Sequence, residues 1–219
     1  MQPRHYSQLY RRLRDLDPDD HQRVIRTYEE RESEIGRLDA LEHFELTVYY
    51  ADALFATGAY RQHLMMVDLV IEASMRENIQ KIERVDGDIF QHLLFRKAVS
   101  AYRLRDFETS IHIARELLRI NPESELFVRF LRLALFRNDL PLLQFGRASF
   151  ISCTLATAFL ITVNLLVVSI FHPEWVDLWH GVIGIIFAVG LACLVGTYSF
   201  SYLRADRQAY RFREEQTNK

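Results

Sequence analysis

The 219-residue chain has only two cysteines, Cys153 and Cys193, and both lie inside apolar runs. They form no CxxC pair, which excludes a redox or zinc knuckle and a disulfide-stapled secreted domain, and they are read as small hydrophobes. Charge of one sign is scarce too. The formal net charge is -2, so the basic face that nucleic acid requires is missing. The first 30 residues hold no apolar run of signal-peptide length, about 7–15 residues. The N-terminal block is therefore expected to stay on the side of the membrane where it is made.

Catalytic motifs are also wanting. No GxxxxGK[ST], GxGxxG or GxSxG occurs. No pair of histidines forms HxxxH or HExxH, and His43 and His63 lie on different predicted helices. Asp15, Asp17 and Asp19 have the spacing of a calcium loop. However, Asp20 stands where that loop needs Gly, and Arg26 where it needs Glu. No enzyme activity, metal or cofactor is expected.

What is present is an uneven distribution of charge. Residues 1–147 carry 22 of the 27 Lys and Arg and 24 of the 29 Asp and Glu, whereas residues 148–173 carry none. A water-soluble block is thus joined to a membrane block. The first apolar run, 149–171, would span roughly 35 Å as a helix, enough for a hydrocarbon core of about 30 Å. A second, 178–203, is uncharged apart from the titratable His180. The connector His172–Asp177 allows only a tight hairpin, with Pro173 ending the first helix and Trp175 and Trp179 at the interface. The connector carries Glu174 and Asp177 and no cation, while the outer flanks carry Arg147, Arg204, Arg207, Arg211 and Arg213. The positive-inside tendency then puts both termini in the cytoplasm, with a bacterial inner membrane as the default.

Small residues recur every four positions within the hairpin: Ser149, Cys153 and Thr157 on the first helix, Ala188, Ala192 and Gly196 on the second. They are expected to pack the two helices together, with an oligomer interface as the alternative. Asn164 at mid-depth needs a hydrogen-bond partner and should face protein, in an interhelical bond or along a polar path. The tail 204–219 sets Tyr202, Ala205, Ala209 and Phe212 on one stripe amid arginines. It reads as an extension of the second helix lying at anionic headgroups, or docked on a partner subunit.

Residues 1–147 carry almost no strand signal and follow a 3.6-residue period. Asp17 reads as a helix N-cap with Pro18 at the first helical position, and Glu29–Glu34 as a solvated face. Three segments repeat one pattern: 53–67, 100–114 and 133–147. Each has an apolar helix, a short polar turn and a second apolar helix, with Tyr60, Phe107 and Leu140 at equivalent positions. The second helix of the first unit is expected to run from about Arg61 to Glu83, followed by an Asp86-Gly87-Asp88 turn. In the third, a helix from about Pro141 is expected to run unbroken into the bilayer.

The best unit, 92–124, has Leu94, Ala98, Ala101, Phe107, Ser110, Ala114 and a closing Pro122, and on these residues the segment 40–147 resembles a tetratricopeptide-repeat domain. It departs from that pattern in lacking the Trp and the Leu-Gly pair. The resemblance implies stacked antiparallel helix pairs with a curved face. The fold class is thus all-α: a helical region at 1–39, repeats at 40–147, a transmembrane hairpin at 148–203 and the basic tail. Phe44, Tyr49, Tyr50 and Phe55 crowd one helix and cannot all face one way, which nominates them for a partner. The function expected is a membrane-anchored scaffold, adaptor or accessory subunit that positions another protein at the cytoplasmic face. The alternative is a homo-oligomeric channel or membrane-perturbing effector gated by the helical domain.

Overall fold

The computed structural model describes residues 7–17, 19–79, 81–82, 87–168 and 175–217. Pro18, Glu83, Asp86, the end of the first apolar run at 169–171 and the connector's His172, Pro173 and Glu174 lie outside them. Every regular element among the described residues is helical. The chain divides into two compact units, Met1–Phe127 and Val128–Lys219. The boundary expected at 147/148 therefore falls inside the second unit, because one helix runs through it without a break.

The first unit opens with α1 (Gln8–Arg14), α2 (His21–Glu30) and the single turn α3 (Glu32–Ile35). Ser7 caps α1 by accepting from the Tyr10 amide at 3.1 Å. The cap of α2 is Asp20, whose carboxylate accepts from the Arg23 amide, and not Asp17. Asp17 instead accepts from the Asp19 amide, a local turn that delays the helix by three residues.

Four longer helices follow: α4 (Ala40–Ala56), α5 (Tyr60–Arg76), α6 (Ile89–Arg103) and α7 (Phe107–Ile120). Helix α4 packs on α5, α5 on α6 and α6 on α7, and α1 and α2 pack on α4. The two short turns share one backbone. After α4, Gly58 takes a left-handed φ of +81° and the Ala59 amide returns to the Leu54 carbonyl. After α6, Arg105 at +66° and the Asp106 amide to the Ala101 carbonyl do the same. Helix α5 stops at Arg76, short of the expected Glu83. Asn78 at φ +53° closes it, with the Ile79 amide on the Ser74 carbonyl and the Ser74 hydroxyl donating to the Ile79 carbonyl. The freed segment sends Ile82 into the core.

Helix α4 is buried on two sides, which explains its aromatic crowding. Leu46, Tyr50 and Leu54 recur every four residues and meet Tyr10, Leu13, Tyr28 and Ile35. Phe44 and Val48 form a second stripe against Val67, Val70, Ile89 and Leu93. Each such side chain contributes roughly 1.5–3 kcal/mol on full burial. Polar pairs fix the register of the N-terminal helices on α4: the Tyr10 hydroxyl donates to Glu45, and the Ser7 amide donates to Glu42 at 2.8 Å.

The second unit contains most of α8 (Glu125–Asn138), then α9 (Leu140–Val163), a π-helical turn Asn164–Val168, and α10 (Val176–Thr217). Pro141 sits in the first turn of α9. Helices α9 and α10 lie side by side and antiparallel: Gly146 meets Thr197, Cys153 meets Gly190, and Asn164 reaches His180. Both are long and apolar enough to cross a membrane, over Pro141–Leu166 and Leu178–Thr217. Little of either is covered inside the chain, unlike the core helix of a soluble domain.

Candidate functional site

On α4 the structure separates the four nominated aromatics. Phe44, at 2% exposure, belongs to the core and is beyond a partner's reach. Tyr50, at 8%, stacks on Tyr28 with centroids 4.2 Å apart and donates its hydroxyl to Glu29 at 3.0 Å. Burial, with Glu29 as the second cause, pushes the Tyr50 phenol up to about 12. Tyr49 and Phe55 are only half-buried.

Those two rings line a cleft of about 380 Å³ with Leu13 and Val24 from the N-terminal helices and Leu16 from the turn between them. Asp52 and Arg96 complete its wall, and Asp17 and His21 also line it. Arg96 pairs with Asp52 at 3.0 Å and lies over the Phe55 ring, 4.9 Å from its centroid. His92 approaches the same carboxylate at 3.4 Å. The pairing holds the guanidinium over the aromatic face, a combination suited to an apolar side chain flanked by a polar group.

Behind Phe55 lies His63, fully buried, with Nδ1 2.9 Å from the Ser100 hydroxyl and Nε2 unpartnered. Burial holds its pKa down at about 4, so the ring is neutral. Among the described residues no group of three or more His, Cys, Asp or Glu is placed to hold a metal. Asp52 and Arg96 were not singled out in the sequence. The available signal was that Tyr49, Asp52 and Ala56 share one stripe of α4, of which Tyr49 packs at the margin of the N-terminal core.

In the second unit the small-residue stripe of α10 is not the hairpin's packing face. Ala188, Ala192 and Gly196 are exposed, and a Cβ added at Gly196 would meet nothing within 4 Å. The contact face of α10 runs instead through Ile183, Gly190, Thr197 and Ser201, on roughly the opposite side of the helix. A Cβ at Gly190 would sit 2.6 Å from that of Cys153. On α9, Ser149, Cys153 and Thr157 do turn inward. Asn164 is buried, with Nδ2 3.4 Å from His180 Nε2.

Trp175 is exposed and Trp179 half-buried. The tail continues α10 to Thr217, and its apolar stripe is divided: Ala205 and Ala209 are fully buried within the chain, Phe212 is half-buried and Tyr202 is exposed. The same face is pinned to α8, where Asp206 pairs with Arg132 at 3.0 Å and Tyr202 meets Phe136 edge-on. Arg207 and Arg211 remain exposed, Arg213 is half-buried, and Arg204 approaches Asp139 at 3.9 Å. Comparison with known proteins returns no match: no protein family, curated protein or solved structure resembles the chain closely enough to count.

Proposed function

We propose that the chain is a membrane-anchored helical-repeat scaffold, with the α4 cleft receiving an apolar side chain of a partner protein. The observation that carries this reading is the cleft itself: two half-buried rings and a guanidinium held on one of them, in a unit with two complete cores. The tetratricopeptide-like reading draws support from the helix starts. Helices α5, α7 and α9 begin at Tyr60, Phe107 and Leu140, the three positions aligned by the repeat. The two apolar helices serve as the anchor, with both arginine-flanked ends in the cytoplasm.

The test is gentle-detergent purification of the full-length chain, with mass spectrometry of stoichiometric companions. Replacing both Tyr49 and Phe55 with Ala should weaken a companion by at least about tenfold, as expected for two hot-spot rings. A companion retained at full stoichiometry would place the partner surface elsewhere. Homo-oligomerisation is the second reading, favoured by the exposure of Ala188, Ala192 and Gly196. Mass photometry of the same sample separates the two.

A further inference from the structure

Helices α9 and α10 leave a trough of about 590 Å³ along one side of their contact. Its walls are Phe150 and Ile151 from α9 and Leu194 and Val195 from α10, with Arg147 and Tyr198 at one end. We propose that this trough holds one anionic phospholipid, its phosphate on Arg147 and Tyr198 and an acyl chain along the apolar walls. The proposal rests on the membrane-spanning reading of the two helices.

The polar end is built to receive a phosphate. Arg147 Nε donates to the Tyr198 hydroxyl at 2.7 Å, and the guanidinium lies over the same ring, 5.6 Å from its centroid. That fixes the side chain and leaves both terminal NH₂ groups to donate as a fork. It also leaves the Tyr198 proton free to donate outward. No acidic side chain lines the trough. Two other arginines of the unit are paired with carboxylates: Arg132 with Asp206 at 3.0 Å and Arg211 with Glu215 at 3.1 Å. Arg147 has no carboxylate within ion-pair reach among the described residues, and it is the only Lys or Arg between Arg137 and Arg204.

Its position matches the depth of a headgroup. Arg147 is the last charge before the uncharged stretch 148–173, so a phosphate bound there directs its chains along the trough toward the bilayer interior. A zwitterionic lipid would bring its own ammonium to an uncompensated cation, whereas an anionic headgroup neutralises it. The trough persists because Gly146 and Gly190 let the helices touch at Thr197 and Cys153 beside it.

The test uses native mass spectrometry of the full-length protein in detergent, with equimolar phosphatidylglycerol and phosphatidylcholine of identical chains. One phosphatidylglycerol per chain should be retained, with a preference of about fivefold for one cation near the headgroup. Arg147→Gln should abolish the preference and Arg147→Lys should keep part of it. Ile151→Trp should expel the lipid by filling the trough, and Arg137→Gln should change nothing. Equal retention of both lipids, or a preference that survives Arg147→Gln, would overturn the proposal. Carbonate extraction of membranes from the same cells tests the underlying reading. A chain that washes off sinks both, while one that stays embedded without lipid preference sinks only this inference.

Discussion

His63 is a titratable ring sealed in a core and surrounded at longer range by Asp52, Arg96, Asp68 and His92. Burial lowers its pKa from the ordinary 6.5 to about 4. Between those values the unfolded chain binds a proton that the folded chain refuses. The contribution to stability is therefore complete above about pH 6.5 and is lost as pH falls toward 4, by about 3 kcal/mol in total. Urea unfolding of the full chain at pH 7 and pH 4.5 should show this loss, and His63→Phe should remove most of it, with Ser100 turning its hydroxyl back to its own helix. Equal slopes in the two proteins would mean that other groups carry the acid sensitivity. Arg105 offers a second test at this scale. It holds the left-handed conformation that Gly58 holds in the equivalent turn, a position costing an L-residue roughly 1–2 kcal/mol. Arg105→Gly should raise stability by about 0.5–1 kcal/mol once the added freedom of the unfolded chain is subtracted. A drop in thermal midpoint would show that the Arg105 side chain has a role of its own.

Among elements, the helix starts were the legible part of the sequence, because apolar periodicity and turn chemistry are local. Helix α7 begins at the expected Phe107, and α5 and α9 begin at Tyr60 and Leu140, one residue before the expected Arg61 and Pro141. What the sequence concealed was which face meets which neighbour. Two stripes of small residues looked equivalent, yet Ser149, Cys153 and Thr157 turn inward while Ala188, Ala192 and Gly196 turn out. Spacing gives a stripe but not the rotation of the helix about its axis; the contact at Gly190 sets that rotation. The cleft was half legible for the same reason, since Tyr49 and Phe55 stood out as aromatics whereas Asp52 and Arg96 matter only through packing. A paired substitution tests the assignment. Gly190→Ala places a Cβ 2.6 Å from that of Cys153 and forces the helices apart, at roughly 1–3 kcal/mol. Gly196→Ala meets open space and should leave the hairpin's thermal stability in detergent unchanged or slightly raised. Equal destabilisation by both would mean that a second helix covers the outer face.

At the scale of the whole chain, the antiparallel contact shows which ends of the two apolar helices lie together, which hydropathy alone does not. Gly146 beside Thr197 and Arg147 on Tyr198 bring the arginine-flanked ends of α9 and α10 to the same level, while Asn164 and His180 meet near the other end. Helix α10, at 42 residues, is about 63 Å long, twice the hydrocarbon thickness of about 30 Å. If Leu178–Leu203 spans, the stretch beyond Leu203 extends past the hydrocarbon, which agrees with the Asp206–Arg132 pair there. If the hairpin spans, Arg147 and residues 204–217 must lie on one side and Trp175 on the other, and the positive-inside bias makes the first side the cytoplasm. The only native cysteines, Cys153 and Cys193, lie within the apolar helices, so replacing both with Ala gives a background without thiols. Single cysteines introduced at exposed Glu30, exposed Thr217 and exposed Trp175 then report sidedness to an impermeant maleimide. In inverted vesicles the first two should label and the third should not; in intact cells or spheroplasts the pattern should reverse. Labelling of all three from one side would rule out a spanning hairpin and leave α9 and α10 lying along the surface.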